Sequence, residues 1–289
     1  QAIYLRLLLS LFLLYILSSV KEMNKIYYTL IFVLAVYLVI TLSLYFFQRN
    51  LLYYPSENNY SGDRLTVPIE KVKIKTQDNI ELLSWYHKKN VSDYKTILFL
   101  HGNAGSLEDR IYKLNFLGNL DVNFLIIAWR GYSGSSGKPS EFGLYQDAKS
   151  ALNWLNSKGI TDDKIVLYGE SLGTSVAIEV GQNRNFAGII LEAPFTSMID
   201  IGKKHYPFFP VKLLLKDKYV SKNKIKNIKS PVLVMHGKED KIVPFYMGKK
   251  IYDLANQPKF KYFPDDDDHM MNFDENLINE IHLFLKNLN

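Results

Sequence analysis

Three short stretches of the chain hold side chains whose types and spacing suit acyl transfer. Gly169-Glu170-Ser171-Leu172-Gly173 has the form G-x-S-x-G and stands between an apolar, strand-like run and a helical run. A serine forced into a sharp, strained turn needs neighbours without side chains two positions away on either side, and Gly169 and Gly173 meet that need. Ser171 is therefore expected as a nucleophile. Such a serine requires a base, and the base requires an orienting carboxylate. Of the six histidines, His87 and His101 precede the serine, His236 sits at the end of a strand-like run, His205 lies among lysines and His282 falls on the terminal helix. His269, in a loop before that helix, is expected as the base. The loop after Pro231-Val232-Leu233-Val234-Met235-His236 carries Glu239 and Asp240, and Asp240 is expected as the carboxylate. A tetrahedral intermediate also needs two N–H donors for its oxyanion, one from the residue after the nucleophile and one from a loop ending another strand. Leu172 and Asn103, the latter within His101-Gly102-Asn103-Ala104-Gly105, are expected to supply them. His101 itself reads as a buried structural imidazole.

These groups must be carried by regular elements, and the hydropathy pattern supplies them. Eight strands are predicted at 70–75, 80–87, 96–101, 124–129, 164–169, 188–192, 232–236 and 259–263. Most of the later ones are nearly continuous apolar runs, as in strands buried on both faces of a parallel sheet. Helices are predicted at 107–120, 142–157, 171–181, 246–255 and 275–288. The first two strands lack a helix between them and read as an antiparallel hairpin turning at Asp78-Asn79. The fold class is α/β, with a mostly parallel central sheet flanked by helices and a short cap insertion at about 196–230.

The 289 residues, 47% of them hydrophobic and 22% charged, with a net charge of +6, exclude a disordered or collagen-like chain. No cysteine is present, so a disulfide framework, a thiolate metal cluster and a cysteine nucleophile are excluded. Residues 26–47 form 22 positions without a charge, about 33 Å of helix and enough for a bilayer's hydrocarbon, with Tyr27, Tyr28, Tyr45 and Phe46 near the ends. They are predicted to be a single-pass transmembrane helix at the start of a domain covering 48–289. The chain begins with Gln, so Met23 is a candidate start and 1–25 an N-terminal extension.

The cap holds the charge anomaly: nine lysines and one acid, Asp217, lie between Lys203 and Lys229, interleaved with Tyr206, Phe208, Phe209, Leu213, Leu214, Leu215 and Tyr219. Nucleic acid is not expected, because no motif for it accompanies the stripe; cationic plus apolar character suggests a lipid bilayer, with a solvated lysine face as the alternative. The run Asp265 to Asp268 lacks the spacing of a calcium loop and reads as a solvated acidic loop. No metal and no cofactor is expected.

The stretches quoted above, together with Arg130 to Glu141 (RGYSGSSGKPSE), Leu191 to Ser197 (LEAPFTS), His236 to Pro244 (HGKEDKIVP) and Gln48 to Pro55 (QRNLLYYP), resemble the α/β-hydrolase superfamily. More narrowly they resemble its N-terminally membrane-anchored serine hydrolase branch, related to prolyl-oligopeptidase-like hydrolases. The order Ser171, Asp240, His269 is also the order of that fold's triad. The resemblance implies an α/β-hydrolase fold and a triad of those three residues, with oxyanion donors at Asn103 and Leu172. It departs from the family around His269, where small residues are usual and four aspartates stand here. The expected activity is cleavage of carboxylic ester or thioester bonds of apolar acyl substrates through an acyl-enzyme. Peptidase-type or acyltransferase activity, or a catalytically silent tethered binding module, are the alternatives.

Overall fold

In the computed structural model, which describes residues 2–56 and 60–288, the chain divides into two compact units, one ending at Gln48 and the other beginning at Arg49. Helix α1 (Ala2–Leu52) accounts for the first. Its portion Ser18–Leu52, with a mean hydropathy of 2.6 in the most apolar window, is long and apolar enough to cross a membrane and buries none of that window in the protein. The helix continues through Lys21 to Lys25, where Lys25 pairs with Glu22 at 2.8 Å. It also runs five residues past Phe47, because nothing from Gln48 to Leu52 breaks it. Helical backbone is disfavoured only at Tyr54, the residue before Pro55.

The second unit is built on eight strands: β1 (Glu70–Lys75), β2 (Glu81–His87), β3 (Lys95–Leu100), β4 (Val122–Ile127), β5 (Ile165–Glu170), β6 (Gly188–Glu192), β7 (Val232–Met235) and β8 (Lys259–Tyr262). Across the sheet they run β8-β7-β6-β5-β3-β4-β2-β1. β1 pairs antiparallel with β2 and β2 antiparallel with β4, while the other neighbours are parallel. The pattern follows from burial: β4, β5, β6 and β7 are buried at every position, which requires helices on both faces and hence right-handed crossovers between parallel strands. β1 alternates exposed and buried and remains an edge.

The covering helices are α2 (Ile111–Asn119), α3 (Glu141–Ser157), α4 (Leu172–Gly181), α8 (Phe245–Leu254) and α9 (Glu275–Lys286). α3 and α9 start at Ser140 and Asp274, whose side chains accept the N–H groups of Gly143 and Leu277, as N-caps do. Between β6 and β7 the cap adds α5 (Met198–His205), α6 (Val211–Leu214) and α7 (Ser221–Lys224), three helices that the lysine-rich sequence did not reveal. A last feature absent from the sequence reading is a two-residue parallel bridge between Tyr54–Pro55 and Ala104–Gly105.

Candidate active site

Ser171 stands in the turn from β5 into α4 with φ +48° and ψ −111°, a region that costs a non-glycine residue about 1 to 3 kcal/mol. Close packing sustains it. A Cβ at Gly173 would fall on the Leu100 carbonyl, and one at Gly169 would lie 2.6 Å from the Gly173 carbonyl, so a larger residue at Gly173 would push the turn away from β3 and one at Gly169 would push it away from the start of α4. Ser171 N–H donates to the Glu192 carbonyl at 2.8 Å, and the Thr174 hydroxyl donates to the Ser171 carbonyl at 2.5 Å.

The loops after β7 and β8 bring the other two groups to it. His269 Nε2 is 3.0 Å from Ser171 Oγ, and His269 Nδ1 is 2.7 Å from Asp240 Oδ2. Asp240 Oδ1 accepts the N–H groups of Ile242 and Val243, each at 2.8 Å. Oδ2 also meets His236 Nε2 at 3.1 Å. Burial works against charge here, yet the hydrogen bonds from His236 and His269 hold the Asp240 carboxyl well below its ordinary value. A carboxylate at Nδ1 fixes the tautomer, leaving Nε2 bare toward the serine hydroxyl. The two loops are tied together, since Glu239 N–H donates to the Asp267 carbonyl at 3.0 Å and Lys238 N–H to the Pro264 carbonyl at 3.0 Å.

Inside the acidic run, Asp267 departs from the expected solvated loop. It is buried, and its carboxylate accepts both the N–H and the side-chain amide of Asn272 at 3.1 and 2.5 Å, closing the turn that presents His269. Asp265 pairs with Lys238 at the surface, and Asp268 accepts the Met270 N–H at 2.8 Å. Among the described residues no group of three His, Cys, Asp or Glu side chains could hold a metal ion.

The loop of Gly102 and Asn103 lies against the serine, for a Cβ at Gly102 would sit 3.5 Å from Ser171 Cβ. Leu172 opens α4, where an N–H has no intrahelical acceptor. The Asn103 N–H likewise donates to nothing among the described residues. His101 is buried with Nδ1 2.8 Å from the Gly102 carbonyl and Nε2 accepting the Trp129 N–H at 3.3 Å. Burial and the Arg110 charge push it down to about 3.

Behind the serine lies a group of charges that the sequence reading missed. Glu170 Oε1 accepts Arg110 Nη2 at 2.6 Å and the Gly102 N–H at 3.2 Å, and its Oε2 accepts Lys113 Nζ at 3.0 Å. Lys113 also donates to Glu192 at 2.5 Å, whose second oxygen accepts the Tyr168 hydroxyl at 2.7 Å. Arg110 further donates to the Ala104 carbonyl at 2.7 Å. Burial alone would raise the Glu170 pKa; the Arg110 and Lys113 charges overcome it and hold the group well below its ordinary value, whereas burial pushes Glu192 up. The group thus braces the β5 turn and the Gly102–Ala104 loop at once. The spacing of Arg110 and Lys113, three apart on one helical face beside Leu114 and Leu117, was the available signal.

Residues 141–286 match the prolyl oligopeptidase family, and 64–205 match a family described as α/β hydrolases of unknown function. An uncharacterised protein of Mycobacterium tuberculosis is 37% identical over 216 residues, covering 73% of this chain and 76% of that one. The lysophosphatidylserine lipase ABHD12 of Danio rerio is 34% identical over 196 residues, 61% of this chain and 51% of the lipase. Among solved structures, a Pyrococcus furiosus esterase superimposes with a TM-score of 0.68 at 22% identity, over 82% of this chain and 98% of the esterase.

Proposed function

Since this chain belongs to the prolyl oligopeptidase family of α/β hydrolases, we propose that it is a membrane-anchored serine hydrolase that cleaves carboxylic ester or thioester bonds of apolar acyl substrates. The observation that carries the reading is the hydrogen-bonded chain from Ser171 Oγ to His269 to Asp240, at 3.0 and 2.7 Å. His269 Nε2 takes the Ser171 proton as Oγ attacks the carbonyl carbon, and Asp240 stabilises the resulting imidazolium. The oxyanion is held by the N–H groups of Asn103 and Leu172. His269 then gives its proton to the departing alcohol or thiol, and a water molecule, deprotonated by the same nitrogen, releases the acid from Ser171.

The substrate class is supported by the Danio rerio relative's name, a lipase acting on lysophosphatidylserine, and by an apolar helix that places the enzyme at a membrane when inserted. The cap favours the same setting. Phe208 and Leu213 are 84% and 82% exposed, and Lys203, Lys204 and Lys212 lie within a few residues of them. Lysines near an anionic bilayer contribute about 1 kcal/mol each, so the domain from Arg49 on should sediment with anionic vesicles at low salt and detach at high salt. Equal binding to neutral vesicles contradicts this part.

The activity is tested with purified full-length protein on p-nitrophenyl esters of graded acyl length, acyl thioesters and anilides. Ester and thioester turnover is expected, rising with acyl length, and Ser171→Ala should lower it by about 10⁴-fold to 10⁶-fold. Faster turnover of anilides than esters favours a peptidase, and full activity in Ser171→Ala overturns the mechanism.

A further inference from the structure

The stretch from the last turn of α1 to Pro55 does more than connect. Within the second unit, residues 49–55 touch two places. Arg49 donates to Asp217 of the cap through Nε and Nη2 at 2.8 and 3.1 Å, and Asp217 is buried. The buried Tyr53 shares a 2.8 Å hydroxyl contact with the fully buried Tyr219 of the cap, and burial pushes both phenols up, so they stay neutral.

The other place is Asn103. Its side-chain amide donates to the Leu52 carbonyl at 2.8 Å, and its carbonyl accepts the Tyr54 N–H at 2.9 Å. Ser56 N–H continues the ladder to the Gly105 carbonyl at 3.1 Å, beside the Tyr54–Pro55 and Ala104–Gly105 bridge. The Asn103 carbonyl also accepts the Tyr132 hydroxyl at 2.7 Å. The side-chain amide N–H and the backbone carbonyl of Asn103 are therefore both engaged, and two of these three bonds join it to residues 52 and 54.

We infer that residues 49–55 are a positioning strap: by holding the carbonyl and side chain of Asn103, they orient its backbone N–H as an oxyanion donor, and by holding Asp217 and Tyr219 they fix the cap in the same register. The inference rests on the serine hydrolase reading above, with Asn103 as one of the two donors. Its physical basis is that an oxyanion donor works only when fixed before the charge develops, and a two-residue bridge has little other support. Because the strap begins in the last turn of the apolar helix, the end of that helix and the segment setting the oxyanion donor are one continuous stretch of chain.

The test uses the full-length protein in detergent micelles and two substitutions at one exposed position. Tyr54→Ala keeps the N–H given to Asn103, and Tyr54→Pro deletes it. With p-nitrophenyl butyrate, kcat of the Pro variant is expected at least about tenfold below that of the Ala variant, within the 10² to 10³ that loss of a whole oxyanion donor costs, with KM changed less than about twofold. Affinity for an alkyl trifluoromethyl ketone, whose serine adduct carries the oxyanion, should fall in parallel with kcat/KM. Asn103→Ala, which keeps the backbone N–H but releases Leu52, should show the same split and serves if Tyr54→Pro does not fold. Equal kcat in the two Tyr54 variants, or a loss confined to KM, overturns the strap. Should Ser171→Ala remain active as well, the hydrolase reading itself has failed; if Ser171→Ala is dead and the Tyr54 pair is equal, the strap alone has.

Discussion

Asp240 and Glu170 are both buried carboxylates held in the charged form below their ordinary pKa, yet they are built from opposite partners. Asp240 is surrounded by two imidazoles and two backbone N–H groups, and one of the imidazoles ends 3.0 Å from Ser171 Oγ. Glu170, next to Ser171 in the chain, is surrounded by an ammonium and a guanidinium; burial alone would lower the pKa of Lys113 and Arg110, but the neighbouring carboxylate charges overcome it and raise both. An imidazole can take and return a proton near neutral pH, whereas a buried Lys or Arg paired with Glu cannot. One carboxylate holds an imidazole that can exchange a proton; the other holds two fixed cations beside a turn.

Substitution separates the two roles. Asp240→Asn, which leaves His269 in the wrong tautomer, should lower kcat by about 10⁴ in protein that remains folded; a loss under tenfold means that Asp240 does not orient the base. Glu170→Gln leaves Arg110 and Lys113 with reduced compensation, and breaking a buried ion pair costs about 3 to 5 kcal/mol. Urea unfolding should report that loss, while kcat per folded molecule falls far less than in Asp240→Asn. If the order is reversed, Glu170 takes part in the chemistry.

His101 sharpens the contrast from another side, as a buried imidazole with no carboxylate hydrogen-bonded to it. The Gly102 carbonyl can only accept and the Trp129 N–H only donate, so Nδ1 carries the proton and Nε2 none. The folded protein keeps it neutral down to about 3, while the unfolded chain protonates it near 6.5. The unfolded state therefore binds more protons in this window, and stability should fall as pH drops from about 6.5 toward 3, by up to about 1.4 kcal/mol per unit. A Tm that stays level between pH 6.5 and 4 contradicts the neutral imidazole. The smallest effect belongs to a surface carboxylate: Asp265, whose side chain is 86% exposed beside Lys238, should change neither Tm nor kcat measurably as Asn. A measurable loss would mean that the acidic run acts on His269 through its outer members too.

All eight main strands and the five large helices were legible because burial on both sheet faces writes itself as continuous apolar runs, and because Gly, Asp and Ser mark the turns and caps. Ser171, Asp240 and His269, expected together from the G-x-S-x-G turn and the loops that follow readable strands, do lie within hydrogen-bond reach of one another. What stayed hidden depended on partners far along the chain. Glu170 looks like the variable position of G-x-S-x-G, and only Arg110 and Lys113, about sixty residues earlier, show why a carboxylate stands there. The cap helices are short and rich in lysine, and are pinned by the buried Asp217, whose partner Arg49 is 168 positions away. Asp267 hides in the same way within four identical residues, set apart by its burial and its bonds to Asn272 and Glu239. His236, at the end of a strand-like run, is the second imidazole on Asp240, and nothing in its own neighbourhood of the sequence marks it as such.

The account turns on Ser171 as the nucleophile, and covalent labelling tests that most directly. Folded full-length protein treated with a fluorophosphonate should become modified at one site, located at Ser171 by peptide mass spectrometry, and Ser171→Ala should take up none. Folded protein that stays unlabelled, or that is labelled at another serine while Ser171 remains free, would contradict it.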